Sequence, residues 1–329
     1  SNFLIKAFQF FSISKIFLAR HFTQKLKLHS SFMVCPTEAD LFALGDNTTD
    51  LIIGHHRAIS RIHSTDISTV YLAYDETNSE EKILKLVPLN SNIIKIEDEI
   101  AIMRCLHHCR YALHLEDTFI HDQYQCLVTP HAKFGSLTNI LNEPRFQNGI
   151  GQNATKSIVR QILLAIQYMN DQGICHRDIK PDNILVFHWD DLHPVVVISD
   201  FGLSIFLDQD ETCSVRAGTP NYIAPEIYSG KDYKRNVDIW SLGITMHFLL
   251  FNQLPFPDEN TTPDSYKQAM DRKALPCYHF RKNKYFQAQD LYKRMCNYDP
   301  DQRITVEDAL QHPWLKDSEV ETPSHAKSQ

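Results

Sequence analysis

The sequence predicts an α+β fold, in which a strand-rich N-terminal part precedes a mainly helical C-terminal part. From about residue 51, short segments rich in β-branched and aromatic residues come first, one helical segment follows, and the later periodicity is mostly helical. Such segregation of strands and helices along a chain is typical of α+β architectures. A hydrophobic fraction of 43% in 329 residues is enough for one large two-lobed domain or two ordinary ones.

Charge and cysteine usage limit the classes of partner and compartment. The net charge of −7 gives no indication of nucleic-acid binding. The eight cysteines are scattered, form no Cys-x-x-Cys pair and include several in apolar segments. We therefore expect reduced thiols and a cytoplasmic or nuclear location.

The first 32 residues differ from the rest because they carry five basic residues and no acidic ones, which leaves −12 for the remainder. Charges interrupt this segment too often for it to span a bilayer, so we predict no integral membrane segment. It is either a transit-type presequence, a membrane-surface amphipathic helix, or, as we favour, an extension outside the true product that ends near Met33. We expect residues 1–50 to be a poorly ordered extension, residues 51–316 to fold, and residues 317–329 to be a polar tail.

Two strands are predicted at Ile67–Tyr74 and Lys82–Val87, joined by a polar turn. In the second strand Ile83, Lys85 and Val87 share one face, because strand side chains alternate. A lysine between aliphatic residues either meets an anion or extends to water from an edge strand.

A helix is predicted over residues 92–107. Apolar residues recur at helical spacing at Ile93, Ile96, Ile100 and Met103. Glu99 borders this apolar face, where a carboxylate needs a cationic partner such as Lys85. Glu97 points elsewhere and is expected to be solvated. Further along, we predict a strand at Gln125–Val128, a helix over 154–171 and an apolar strand at Val195–Ile198.

The chemistry is concentrated in two motifs, Cys-His-Arg-Asp-Ile-Lys-Pro-Asp-Asn at 175–183 and Asp-Phe-Gly at 200–202. Asp178 and Lys180 are the residue types that a hydroxyl acceptor and a transferring phosphate need. Asn183 and Asp200 offer oxygen ligands, which Mg²⁺ prefers.

Together these motifs resemble the catalytic centre of eukaryotic protein kinases. The resemblance covers about residues 55–316, and it is most specific in the C-terminal part. Further matching segments are Lys82–Lys85, Gly218–Glu226, Val237–Gly243 and Asp299–Arg303. The C-terminal motifs are most similar to polo-like, never-in-mitosis-like, autophagy-initiating and calmodulin-kinase-like kinases. The resemblance implies a two-lobed kinase fold, with a small antiparallel sheet and one helix in residues 51–132 and a mainly helical lobe in residues 133–316.

The resemblance also implies ATP- and Mg²⁺-dependent phosphoryl transfer to Ser/Thr hydroxyls of protein substrates. Asp178 would accept the hydroxyl proton, Lys180 would steady the γ-phosphate, and Lys85 would pair with Glu99 and reach the α/β-phosphates. The magnesium ligands would be Asn183 and Asp200. The other nucleotide contacts would be Ile62, Val70, Ile83, Thr129, Pro130, Ala132 and Leu185.

Three further features follow from the same resemblance. Thr219 would bond Asp178 and Lys180, as in Ser/Thr-specific kinases, and Glu226 would form a structural ion pair with Arg303. Leu203, directly after Asp-Phe-Gly, suggests a preference for serine. Asp182 suggests basic substrates. Arg177 can clamp a phosphate on the activation loop. The position where the family carries its phosphosite holds Val215, which has no hydroxyl, and Thr212 and Ser214 are the nearby substitutes. Activation by phosphorylation is therefore a hypothesis.

The main departure is in the nucleotide loop. Its three glycine positions hold His63, Thr65 and Ser68, and Ile83 replaces an alanine above the adenine. Two functions therefore remain open: an active Ser/Thr kinase with weakened ATP binding, and a pseudokinase that signals by binding proteins.

Histidines form two further clusters. A metal site built from Cys105, His107, His108, Cys109 and His114 is disfavoured, since such residues commonly serve in packing. His55 and His56 are expected at a solvated strand start.

Overall fold

The computed structural model describes residues 51–65, 67–89, 96–255, 269–271, 278–280 and 283–316. The predictions for residues 1–50, for Ile93 and for the tail at 317–329 lie outside these residues. Among the described residues, no helix is long and apolar enough to cross a membrane.

The N-terminal part is a single antiparallel sheet with the strand order β1-β2-β3-β4-β6-β5. Its strands are β1 (Ile52–Ile53), β2 (His56–Ser64), β3 (Thr69–Asp75), β4 (Glu80–Pro88), β5 (Asp117–His121) and β6 (Tyr124–Pro130). All three strands predicted in this part are present, although β3 begins two residues later than expected and β4 and β6 are longer at both ends.

Strand β4 separates two environments, as its alternation predicts. Leu84 and Leu86 are buried on one face with Tyr71 of β3, in a small core of the sheet. Ile83 and Lys85 lie on the other face and are half-buried. The strand therefore presents Lys85 on the face opposite to the core of the sheet.

Helix α1 (Ile96–Cys105) is the one described helix between strands of this sheet. Glu99, Ile100 and Met103 are buried, whereas Glu97 is exposed, as predicted. The helix ends two residues earlier than the predicted end at 107.

The C-terminal part is mainly helical. Its α-helices are α2 (Leu137–Leu141), α3 (Gln152–Asp171), α4 (Pro225–Tyr228), α5 (Val237–Phe251), α6 (Phe286–Met295), α7 (Val306–Leu310) and α8 (Pro313–Lys316). The predicted stripe of α3 is confirmed, because Ile158, Ile162, Ile166 and Met169 are fully buried. Helix α5 is buried along nearly its whole length and lies at the centre of this core.

Two short antiparallel ribbons carry the chemical motifs. Strand β7 (Ile174–Cys175) pairs with β10 (Ile205–Phe206), and β8 (Ile184–His188) pairs with β9 (Val195–Ile198). The motif at 175–183 therefore lies between β7 and β8, and Asp-Phe-Gly lies between β9 and β10. Segregated sheet and helices confirm the α+β class.

The structure corrects the expectation for His55 and His56. His55 is exposed, but His56 is only 1% exposed, because its ring stacks on Phe119 with 6.0 Å between centroids. In the cluster from Cys105 to His114, the ring of His107 lies 5.1 Å from that of His108 and 5.7 Å from that of His114, between centroids. Of the described residues, those in that cluster do not converge to metal-ligand distance. No disulfide joins the described cysteines.

Candidate active site

The half-buried Lys85 of β4 and the buried Glu99 of α1 form an ion pair. The Lys85 Nζ atom lies 2.8 Å from Glu99 Oε1 and 3.1 Å from Oε2. It also lies 3.7 Å from Asp200 Oδ1. Burial opposes the charge of the ammonium, but Glu99 and Asp200 outweigh this effect and raise the pKa of Lys85. The lysine is therefore charged and aimed at the Asp-Phe-Gly segment.

Asp178 lies at the centre of a hydrogen-bond network. Its Oδ1 accepts from the backbone N–H of Thr219 at 2.8 Å and from the Thr219 hydroxyl at 2.7 Å. Its Oδ2 lies 2.9 Å from Lys180 Nζ and accepts from Asn183 Nδ2 at 2.9 Å. Although burial acts in the opposite direction, the contacts with Thr219 and Lys180 lower the pKa of Asp178. The carboxylate is thus ionised at neutral pH, as a proton acceptor must be.

Thr219 joins the activation segment, residues 200–226, to the catalytic loop, residues 176–183. Its hydroxyl donates to Asp178 and accepts from Lys180 Nζ at 2.5 Å, which confirms the predicted double contact. The approach depends on Gly218, whose φ is +109° and where a Cβ would lie 2.5 Å from the Arg177 carbonyl oxygen. A side chain at 218 would push the two segments apart.

Asp238 on α5 holds the backbone of the catalytic loop by hydrogen bonds, a role that was not predicted from the sequence. Its Oδ2 and Oδ1 accept the backbone N–H groups of His176 and Arg177, each at 2.8 Å. Asp238 is fully buried, and burial raises its pKa. The available signal was an aspartate inside the apolar run of α5, since a buried carboxylate requires partners.

The Asp-Phe-Gly segment is fixed by the burial of its phenylalanine. Phe201 is 1% exposed and packs edge-on against His176, with 5.3 Å between ring centroids. Asp200 has a φ of 61°, a left-handed conformation that is uncommon outside glycine and clusters at functional sites. Its side chain is 54% exposed and remains available to a ligand.

The donor set at Asn183 and Asp200 fits a magnesium ion. The Asn183 amide nitrogen donates to the backbone carbonyl and to Oδ2 of Asp178, both at 2.9 Å, which leaves its oxygen for a cation. The exposed carboxylate of Asp200 supplies further oxygen atoms. Hard oxygen ligands of this kind suit Mg²⁺, which retains several waters and also binds phosphate.

The predicted nucleotide contacts lie on strands that border Lys85. Ile83 pairs in register with Thr129, and Val70 pairs with Lys85. Thr129 and Ala132 are buried, whereas Ile62 on β2 is 54% exposed. Pro130, which follows Thr129 at the end of β6, and Leu185 on β8 are half-buried. The residues predicted to contact ATP thus lie on β2, β3, β4, β6 and β8 or directly after β6, while their contacts with a nucleotide remain a prediction.

The turn between β2 and β3 is closed by a side chain. Thr65 Oγ1 accepts the backbone N–H groups of Ile67 at 3.2 Å and of Ser68 at 3.1 Å. The backbone N–H of Thr65 also donates to the Ser68 carbonyl at 2.9 Å. Backbone amides in a glycine-rich loop are the groups that surround phosphate. Here the hydroxyl of Thr65 already occupies two of them.

Arg177, the predicted phosphate clamp, has other partners in this structure. Its Nε donates to the Leu203 carbonyl at 2.6 Å, and its guanidinium donates to the Tyr233 hydroxyl at 3.1 Å. The Tyr233 hydroxyl in turn donates to the carbonyl of Val215 at 2.6 Å. The activation segment is therefore held at Val215 by uncharged groups, and Tyr233 was not predicted.

The structural ion pair between Glu226 and Arg303 is confirmed. It is bidentate, with N–O distances of 2.7 and 2.9 Å, and both side chains are buried. The Arg303 guanidinium also lies over the Trp240 ring, 5.4 Å from its centroid. This pair ties the end of the activation segment to the base of the helical part.

Comparison with known proteins gives a family match that covers most of the chain. The protein kinase domain family matches residues 59–315. Calcium/calmodulin-dependent protein kinase type 1 of Caenorhabditis elegans is 31% identical over 256 residues, which cover 75% of this chain and 70% of that protein.

Two other relatives are similar over shorter shares of their own length. "Probable serine/threonine-protein kinase fhkA" of Dictyostelium discoideum is 29% identical over 303 residues, 81% of this chain and 50% of that protein. The SNF1-related protein kinase catalytic subunit alpha KIN12 of Arabidopsis thaliana is 34% identical over 232 residues, 68% of this chain and 42% of that protein. The chain thus spans half or less of the length of these two relatives.

Proposed function

Because the chain belongs to the protein kinase family, we propose that it transfers the γ-phosphate of ATP to serine and threonine hydroxyls of protein substrates. The observation that carries this proposal is the network around Asp178. Lys180, Asn183 and Thr219 all lie within 2.9 Å of its carboxylate oxygens. The Lys85–Glu99 pair is formed at the same time.

The residues of this network have separate tasks in the transfer. Asp178 orients the substrate hydroxyl and accepts its proton while the hydroxyl oxygen bonds to the γ-phosphorus. The bond from that phosphorus to the bridging β–γ oxygen breaks, and ADP leaves. Lys180 is within reach of the same carboxylate and offers positive charge to the transferring phosphoryl group.

Lys85 and the metal ligands position the nucleotide. Lys85 is held by Glu99 and would bind the α- and β-phosphates. Asn183 and Asp200 would hold magnesium, which when bound neutralises phosphate charge and orients the β- and γ-phosphates. Catalysis of this type relies on positioning and electrostatics rather than on covalent chemistry by the protein.

The substrate class follows from the same residues. Lys180 and Thr219 form the arrangement that resembles Ser/Thr-specific kinases, and the Dictyostelium discoideum relative carries that specificity in its name. The exposed carboxylate of Asp182, within the motif at 175–183, supports basic substrates. We propose a reducing compartment, cytoplasmic or nuclear, because the eight cysteines of the sequence are scattered and form no Cys-x-x-Cys pair.

A pseudokinase scaffold is the competing function. The feature that favours it is the glycine-free turn, in which Thr65 occupies two amides. Against it, a protein that only binds partners has no physical need for the complete network at Asp178 and an assembled Lys85–Glu99 pair. Weak ATP binding by an active enzyme reconciles both sets of observations.

The test is phosphate transfer by the full 329-residue chain to a generic basic protein containing serine, threonine and tyrosine. The proposal predicts acid-stable phosphoserine and phosphothreonine, without phosphotyrosine. Asp178→Asn, which preserves the shape of the side chain, is the control and is expected to abolish transfer while it leaves the thermal unfolding temperature nearly unchanged. Absence of product from folded parent protein at about millimolar Mg-ATP would support the scaffold instead.

A further inference from the structure

Two histidines and an aspartate converge at the end of the β2–β3 hairpin, away from the candidate active site. His55 and His56 follow the β1–β2 turn, and Asp75 is the last residue of β3. One ligand atom from each residue lies within 4.8 Å of the other two. His55 Nε2 is 3.7 Å from Asp75 Oδ1, and His56 Nε2 is 3.8 Å from Asp75 Oδ2.

These separations do not correspond to hydrogen bonds. A hydrogen bond from an imidazole nitrogen to a carboxylate oxygen is about 2.7 to 3.2 Å long. Ligand atoms about 2.0 to 2.1 Å from a tetrahedral Zn²⁺ ion lie about 3.3 to 3.4 Å from one another. The two histidine–carboxylate gaps are a few tenths of an ångström wider than this, and the two histidine ligand atoms lie within 4.8 Å of each other. Side-chain rotations would close the three residues around an ion.

The ring of His56 lacks the polar partners that its burial calls for. It is 1% exposed, its Nδ1 has no hydrogen-bond partner, and its Nε2 is too far from Asp75 to donate. An unpartnered polar group in a buried position is costly. A cation bound at Nε2 would give the nitrogen that faces the carboxylate a partner, while Nδ1 would still have none.

The backbone fixes these three residues in place. His56 and Asp75 are direct cross-strand partners, so their side chains share one face. Gly54 adopts a φ of +64°, and a Cβ there would contact Phe119 at 3.0 Å, so the turn that presents His55 requires glycine. Phe119 also forms the wall on which the His56 ring stacks.

The carboxylate is held by a partner of its own. Thr77 donates its backbone N–H and its hydroxyl to Asp75 Oδ1, at 2.8 and 2.6 Å. Oδ2 is the oxygen that faces His56. Such support for a ligating carboxylate is typical of metal sites, because it orients the ligand before the ion arrives.

We propose that His55, His56 and Asp75 bind a divalent transition-metal ion, of which Zn²⁺ is the first to test. Two imidazoles and one carboxylate suit zinc, and the 46% exposure of His55 leaves the fourth position open to water. Magnesium is disfavoured because it prefers oxygen ligands in octahedral geometry. The ion would fasten the β1–β2 turn to the end of β3.

The site is separate from the proposed phosphoryl transfer. Strand β2 begins at His56 and ends at Ser64, beside the Thr65 turn, so the two ends are about 26 Å apart at the usual rise of a strand. Occupation of the site is therefore expected to change the stability of the N-terminal sheet, and not the chemistry at Asp178. A ligand that binds only the folded state stabilises that state.

The experiment is a Zn²⁺ titration of the full chain after chelator treatment, in competition with a chromophoric indicator. We expect one high-affinity Zn²⁺ per chain and a rise in thermal unfolding temperature. His55→Gln is expected to weaken Zn²⁺ binding by roughly 100-fold or more and to remove that rise. His63→Gln, an exposed histidine on the same hairpin, is the matched control and is expected to bind as the parent does.

The proposal is overturned if the parent binds Zn²⁺ no more tightly than about millimolar, or if His55→Gln binds it as tightly as the parent does. The second result would place the bound ion at other residues. Because His55 lies on the surface, the variant is expected to fold, which its unfolding transition in the chelator confirms directly.

Discussion

Replacing Thr65 with alanine is expected to tighten ATP binding. In the parent, the Thr65 hydroxyl accepts the backbone N–H groups of Ile67 and Ser68 at 3.2 and 3.1 Å. A phosphate that uses these amides must first displace the hydroxyl. Each such hydrogen bond contributes about 0.5 to 1.5 kcal/mol. Thr65→Ala removes both without adding a glycine.

The two bonds together correspond to about 1 to 2 kcal/mol at this exposed turn, or a roughly 5- to 30-fold lower KM for ATP. The assay is the initial rate of phosphate transfer against Mg-ATP concentration, with kcat expected to change little. Ser64→Ala is the matched control, because it removes the neighbouring hydroxyl contact to Thr69 and leaves the amides alone. An unchanged or higher KM in Thr65→Ala would refute this reasoning.

Three other predictions concern activation and stability. The double variant Thr212→Ala/Ser214→Ala is expected to keep at least about half of the parent's transfer rate, since Arg177 already bonds uncharged partners; a loss of tenfold or more would contradict this. Arg303→Met is expected to lower the free energy of unfolding by about 3 to 5 kcal/mol in chemical denaturation, since it leaves a buried glutamate unpaired; a loss below about 1 kcal/mol would count against a buried pair. Burial lowers the pKa of His247 from 6.5 to about 3, so the unfolded chain binds more protons and stability falls as the pH drops below 6.5. Asparagine at 247 does not titrate, so between about pH 7 and about pH 5 the free energy of unfolding of His247→Asn is expected to fall by about 2 kcal/mol less than that of the parent. Equal decreases in the two proteins would contradict the pKa shift.

The faces of Lys85 and Glu99 could be predicted from local patterns, whereas their pairing depended on the resemblance to protein kinases. Alternation in β4 placed the lysine on a defined face, and helical spacing placed the glutamate at the edge of a buried one. Two buried or half-buried opposite charges then need each other. The motifs at 175–183 and 200–202 could be recognised because the residues of each one are adjacent in the sequence.

The features that were not predicted depend on residues far apart in the chain. Asp238 contacts the backbone of a loop that is 62 residues earlier in the chain. Tyr233 contacts Arg177, which is 56 residues earlier. The burial of His56 depends on Phe119, which lies on a different strand. Periodicity near a residue carries no information about such partners. The threonine-capped turn at Thr65 was local, yet its hydrogen bonds depend on a backbone geometry that residue types alone did not specify.

The most direct test of the central claim is the dependence of phosphate transfer on Mg-ATP concentration, measured for the parent and for Asp178→Asn. We expect the parent rate to saturate and the variant to lose kcat by a factor of about 1,000 or more, while its ATP affinity, measured by direct binding, stays close to that of the parent. Equal residual rates from the two proteins, or no transfer by folded parent at any Mg-ATP concentration, would contradict the claim that Asp178 and its network perform the transfer.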